Sequence, residues 1–226
     1  MKIALILLIC YLLGSIPFGL VWVKLFTGKD IRLIASGRTG GTNAMRAGGP
    51  VIGLLTGLGD IFKGFSTYFV MQAFGVTDPW MRVGGALVAI LGHNYSVFLL
   101  ERTEEGKLHL RGGAGGATAF GGALALWPPS GLIIFPLSLI VYFVIGYASL
   151  TTMSIALLAT IVFLVRVLVN APGAEWAYVV YGLAAEFILI WALKPNIQRL
   201  REGTERVVGL RAARQKKQQT PPSDPE

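Results

Sequence analysis

Residues 36–49 read "SGRTGGTNAMRAGG" and stand between two long apolar runs. Glycines, hydroxyls, Asn43 and two arginines would be ordinary punctuation in a soluble chain. Here they interrupt a sequence of 226 residues that is 54% hydrophobic and 14% charged, with a mean hydropathy of +0.62. Soluble domains carry about 25% charged residues. The apolar residues come in blocks of roughly 16 to 26, the length a helix needs to cross hydrocarbon. Irregular backbone cannot face lipid, so residues 36–49 must lie in water or line a cavity. The fold this implies is an all-α polytopic membrane protein.

About seven transmembrane helices are expected, at 3–25, 51–76, 80–100, 113–128, 131–150, 152–170 and 174–193. The first run continues past Pro17 without a small-residue cleavage site, so it reads as a span and not a leader. The 113–128 segment is short. Its residues rise about 24 Å as a helix, against a hydrocarbon core of about 30 Å. It is expected to sit inside the protein as a half-span or to thin the bilayer. Residues 1–205 read as one membrane domain, and 206–226 as a basic, disordered tail.

The net charge of +8 is distributed unevenly. The first loop carries Lys29, Arg32, Arg38 and Arg46 against Asp30. The third carries Arg102, Lys107 and Arg111 against Glu101, Glu104 and Glu105, and the segment from Lys194 onward is strongly basic. The intervening loops hold little beyond Arg82 and Arg166. The positive-inside rule then places the basic loops and the C-terminus in the cytoplasm and the N-terminus outside. Basic loops beside membrane lipids account for the charge without nucleic acid. Cys10 is the only cysteine, so no intrachain disulfide forms.

Polar or glycine-rich clusters fall on the expected cytoplasmic side. In the first, Gly37, Gly40 and Gly41 allow successive amides to face one point, while Ser36, Thr42, Asn43 and Arg46 add donors for phosphate. A flexible, charge-bearing loop is the plain alternative. "RGGAGGAT", 111–118, joins Arg111 to Gly112 and Gly113 and opens the short segment, where a helix start could hold an anion. Close helix packing explains its small residues equally well. His93 reads as a general base or as a satisfied helix-end histidine. Asp60 and Lys63, three residues apart, share a helix face as an expected ion pair. Glu186 calls for a polar interior. No metal-ligand spacing, hydrolase elbow or cofactor motif is found in the sequence.

Taken in order, these stretches resemble the bacterial acyl-phosphate:glycerol-3-phosphate acyltransferases, integral membrane enzymes of phospholipid synthesis. The residues that carry the resemblance are "ASGRTGGTNAMR", "DIFKG", "GHNYSVFL", "GYASL" and "NIQRLREGTE", running from Gly14 to Glu205 with their surroundings. The resemblance implies transfer of a fatty acyl group from acyl phosphate to the 1-hydroxyl of glycerol 3-phosphate, with no cofactor and no obligatory protein partner. It implies catalytic roles for Ser36, Arg46 and His93. It implies substrate binding by Gly40, Gly41, Thr42, Asn43, Ser149 and Asn196, and by Arg111, Gly112, Gly113 and Thr118 for the acyl phosphate. His93 is the nearest candidate base, but the family implies that the substrate's own phosphate takes the proton. The His-x-x-x-x-Asp of other acyltransferases is not kept, because Phe98 stands five residues after His93.

Departures are equally specific. Ala114 stands where the family has lysine, Leu193 and Lys194 where it has His-Arg, and Arg38 where it has Asn. "RTEEGKLHL", 102–110, looks inserted. Arg111, Lys107 and Lys194 are candidate replacement cations. A membrane transporter for an organic phosphate, or an inactive homologue, are the alternative readings.

Overall fold

A computed structural model describes residues 1–102 and 106–219, with only the backbone of Lys216 and Gln219. Glu104, Glu105 and residues 220–226 lie outside the described residues. The first apolar run forms two helices, α1 (Lys2–Ser15) and α2 (Phe18–Thr27). Pro17 between them has no amide hydrogen to continue α1. Side chains from elsewhere reach the carbonyls at this break. Ser96 Oγ donates to Ser15 O at 2.6 Å and Lys63 Nζ to Ile16 O at 2.9 Å. Next come α3 (Gly41–Gly48), α4 (Pro50–Phe65), α5 (Thr67–Ala73) and α6 (Pro79–Asn94). Helices α4 and α6 begin on proline, whose missing N–H is harmless in a first turn.

A small antiparallel hairpin follows, β1 (Leu100–Arg102) against β2 (Leu108–Leu110), with Leu100 opposite Leu110. The remaining helices are α7 (Gly116–Leu126), α8 (Gly131–Ile140), α9 (Ala148–Leu168), α10 (Trp176–Ala192), α11 (Lys194–Arg201) and α12 (Gly209–Gln219).

All seven expected segments contain helix, with different edges. The 51–76 segment divides at Ser66, whose hydroxyl donates back to Lys63 O at 2.8 Å. The 80–100 span ends at Asn94, and its last residues enter the hairpin that the all-α expectation lacked. The 131–150 boundary falls earlier, where Gly146 at φ +76° turns the chain after a π-helical turn at Val141–Ile145. Among the described residues, three stretches are long and apolar enough to cross a membrane: Lys2–Thr27, Pro128–Ile145 and Ala148–Leu168. Helices α10 and α11, bent by 68° at Leu193, make a fourth if taken together.

The expectation of a disordered tail is corrected over 206–219. Val208 is buried, its amide donates to Gly146 O at 2.9 Å, and α12 follows. The Arg211 guanidinium lies 4.6 Å from the Tyr147 ring centre. An amphipathic helix needs a partner surface, which the residues around Gly146 supply.

Helix α7 is the centre of the packing. Its eleven residues rise about 16 Å. Thr118, Ala119, Phe120 and Ala123 are buried, and Tyr181 Oη donates to Ala119 O at 2.6 Å. It is thus the internal half-span of the two options. Glycines set its distance from α4: a side chain on Gly64 would strike Thr118 O, and one on Gly121 would strike Ile61 O. Small residues bring membrane helices into backbone contact in this way.

Gly121→Ala is therefore expected to push α7 from α4 and cost about 1–3 kcal/mol of stability. Thermal unfolding in detergent measures this. Gly84→Ala, where the nearest atom is 3.8 Å away, is the unperturbed control.

Candidate active site

A cavity of about 340 Å³ opens among α3, α4, α7, α8 and α9 and the α10–α11 bend. Three helices begin on its wall. Gly41 and Thr42 open α3, Gly116 and Ala117 open α7, and Ser149 lies in the first turn of α9. No side chain caps any of these starts. First-turn amides have no partner within their own helix, and the helix dipole is positive at that end. Three such ends around one space favour an anion. The same lining includes the apolar side chains of Ile61, Phe120, Phe135, Leu139 and Ile155.

Arg38, Arg46 and Arg206 add cations to the lining. Among the described residues no hydrogen bond or ion pair holds the Arg46 guanidinium, which is exposed on the cavity wall. Arg206 donates to Ala35 O at 3.2 Å. Ala35 itself lies at φ +46°, a left-handed backbone uncommon outside glycine. That turn delivers Ser36 to the cavity. Arg38 donates to Gly113 O at 3.3 Å and to Ala192 O, tying three segments together. Burial, then the like charge of Arg199, pulls Arg38 below the ordinary guanidinium value.

The two glycine-rich loops touch. Besides the Arg38 bond, Thr39 N donates to Gly112 O at 3.4 Å. Asn43 organises the first loop from inside. Its Nδ2 donates to Arg38 O at 2.8 Å, Ile34 O at 2.9 Å and Ile31 O at 3.3 Å, while Oδ1 accepts from Ser36 N at 3.4 Å. An amide committed to four backbone groups shapes the loop more than it meets a ligand.

Ser36, Arg46, His93, Gly40, Gly41, Thr42, Asn43, Ser149 and Asn196 all reach this cavity. Arg111, Gly112, Gly113 and Thr118 do not line it, and Gly115, Gly116 and Ala117 take the expected place of that loop. Arg111 pairs with Glu101 at 3.0 Å. Thr118 lies one position further into α7, buried against Gly64. His93 is buried, its ring packed on Gly113 and its Nδ1 3.5 Å from Asp60 Oδ1. Asp60 also holds Lys63 at 3.0 Å, as the spacing predicted.

Known proteins resemble this chain over nearly its whole length. The family model for glycerol-3-phosphate acyltransferase matches residues 4–203. A glycerol-3-phosphate acyltransferase of Thermus thermophilus is 40% identical over 91% of this chain and 95% of its own length. One from Syntrophomonas wolfei is 36% identical over 91% of this chain and 96% of its own. Among solved structures, PlsY (YgiH), an integral membrane glycerol 3-phosphate acyltransferase, matches in its glycerol 3-phosphate form. The TM-score is 0.78 at 30% identity, covering 94% of this chain and 98% of that one. The chain belongs to the glycerol-3-phosphate acyltransferase family.

Sequence reasoning passed over two residues of this acyltransferase. Arg38 was read as a departure, and Glu205 as the end of a motif. The Glu205 carboxylate is 5% exposed and accepts from Asn196 Nδ2 at 2.8 Å, Arg199 Nε at 2.9 Å and Ser149 Oγ at 3.5 Å. It therefore joins α11 to the start of α9. An acid inside a basic stretch was the available signal, and Glu202 three residues earlier carries the same one. The alternative of a transporter is not supported in a member of an acyltransferase family.

Asn43→Asp replaces the three-way donor with an acceptor facing three carbonyls. Lost stability of about 1–3 kcal/mol is expected, with easier proteolysis within 31–40. Unfolding in detergent and limited digestion check both.

Proposed function

We propose that this acyltransferase moves a fatty acyl group from acyl phosphate to the 1-hydroxyl of glycerol 3-phosphate, releasing lysophosphatidic acid and phosphate. The observation that carries the reading is the mixed lining of one cavity. Three uncapped helix starts and Arg46 offer charge and donors for phosphate, and Phe120, Phe135, Leu139 and Ile155 offer apolar surface for a chain. A solved lysophosphatidic acid form of PlsY, with a TM-score of 0.75 and 29% identity, supports it.

The donor is a mixed anhydride, so its carbonyl carbon is already activated. The 1-hydroxyl oxygen attacks that carbon, the carbon–oxygen bond to phosphate breaks, and phosphate departs with the electron pair. The hydroxyl proton passes to the departing phosphate. Helix-start amides stabilise charge on the tetrahedral oxygen and on phosphate. Arg46, Ser36, Ser149 and Asn196 hold glycerol 3-phosphate. Gly115, Gly116 and Ala117 receive the acyl phosphate. Holding both in one space supplies the orientation on which the rate depends. His93, packed on Gly113 and steadied by Asp60, positions the second loop. Arg38 brings its guanidinium to Gly113 O, beside Ala114, and supplies the charge that a lysine at 114 would.

Arg38 and Arg46 of the first basic loop and Arg206 of the C-terminal segment line this cavity, which supports a site facing the cytoplasm of a bacterial cell, with the N-terminus outside and the spans in the membrane.

Purified protein in detergent, given palmitoyl phosphate and labelled glycerol 3-phosphate, tests the reading. Arg46→Ala is expected to lower kcat/KM by roughly 10²–10³ while inserting and purifying normally. Wild-type turnover by that variant would overturn it. Arg38→Gln is expected to lose activity that Ala114→Lys, added to it, restores in part. Absence of restoration would remove Arg38 from the mechanism.

A further inference from the structure

The family model ends at residue 203, and the chain beyond it builds the helix α12. Residues 206–219 carry the cations Arg206, Arg211, Arg214, Lys216 and Lys217 and no Asp or Glu. Close backbone contact seats the start of this helix. A side chain on Gly209 would strike Tyr142 O and Phe143 Cα, and one on Gly146 would strike Arg211 Cβ. Tyr142 and Phe143 belong to the last turn of Pro128–Ile145, one of the stretches able to cross a membrane. Phe143, Val144 and Ile145 are exposed, as lipid-facing side chains are. Helix α12 therefore begins where this span leaves the hydrocarbon, at the depth of the lipid headgroups.

One side of the segment is turned to the protein, with Val208 buried, Ala212 half-buried and Arg211 against the Tyr147 ring. Leu210, Arg214 and Lys217 recur at intervals of four and three residues, so they share another face, and all three are exposed. Leu210 is 52% exposed, next to the apolar end of the span. Among the described residues no hydrogen bond, ion pair or ring contact holds Arg214 or Lys217. Along the helix, Arg214 lies about 6 Å and Lys217 about 10 Å from Leu210. Whatever the tilt of α12, Arg214 stays within the roughly 8 Å over which a surface charge is felt at physiological salt, and the long Lys217 side chain can reach back into it. A leucine at the edge of the hydrocarbon with cations above it suits a helix docked on an anionic bilayer surface. An acidic protein would answer the cations but leave the leucine at the end of the span without a reason.

We propose that the exposed face of α12 binds the headgroups of anionic phospholipids at the membrane surface. Arg206, just before the helix, lines the active-site cavity, and Val208 N is tied to Gly146 O, so this lipid-binding surface starts at the cavity's edge.

Cys10 is the chain's only cysteine and is buried, so a fluorophore can be placed on Gln215→Cys, an exposed position beside Arg214. The full chain is set in nanodiscs of phosphatidylcholine and phosphatidylglycerol in equal parts. A trace of one lipid or the other carries a quenching spin label near the top of its acyl chain. Phosphatidylglycerol is expected to quench about fivefold or more in preference to phosphatidylcholine at low salt, and less so at high salt. Arg214→Gln with Lys217→Gln is expected to bring the two lipids to equal quenching, while Arg214→Lys with Lys217→Arg keeps the preference. In discs of phosphatidylcholine alone, the glutamine variant is expected to fluoresce like its parent, which shows α12 still in place. Equal quenching by the two lipids in the parent would overturn the proposal, as would a preference that survives both the glutamine substitutions and high salt. If the label responds to soluble polyglutamate but not to phosphatidylglycerol, the partner is an acidic protein and the proposal falls.

Discussion

A peptide group without a hydrogen-bond partner is costly in hydrocarbon, and much of this protein's architecture follows from where it breaks its helices. The break at Pro17 is covered by Ser96 and Lys63. The starts of α3, α7 and α9 are left uncapped, and all three open onto one cavity. Amides that no side chain satisfies are free for a ligand. The same features that make these turns unsuited to lipid make them suited to phosphate.

Two buried polar side chains keep that arrangement from collapsing. Asn43 binds the first loop to itself through four backbone groups, and Glu205 binds α11 to the start of α9 through Asn196, Arg199 and Ser149. Neither needs to touch substrate to matter. The Asp60–Lys63 pair acts similarly, with Asp60 and His93 on the wall of the same cavity and Gly113 packed on the His93 ring. Close backbone contact at Gly64 and Gly121 then fixes α7, and with it the second loop, against α4.

Arg38 occupies the junction between two cavities of different character. One carries apolar side chains such as Phe120, Phe135 and Ile155 on its wall, and the other is lined by Arg32, Arg38, Arg111 and Lys194. A residue that reads in the sequence as a departure from a motif thus lines both cavities. Ala114 is intelligible in the same terms, because a guanidinium arrives from the first loop at the neighbouring carbonyl.

Most of the helices were legible in the sequence, because apolar runs longer than about 16 residues have few alternatives to membrane helices. The buried place of the short 113–128 segment was legible as one of two options, and the Asp60–Lys63 pair through the helical repeat. Edges were less legible. The hairpin at Leu100–Leu110 and the helix Gly209–Gln219 depend on partners that lie far along the chain, such as Arg32 for Glu101 and Gly146 for Val208. The site divides along the same line. Composition and periodicity determine that polar, glycine-rich turns must gather away from lipid, since a local segment carries its own hydrophobicity. Which residues share a cavity was decided only by tertiary packing: it brought Gly115 and Arg206 in, left Arg111 and Thr118 off that wall, and turned Asn43 inward, because distances between segments are set by contacts that no single segment contains.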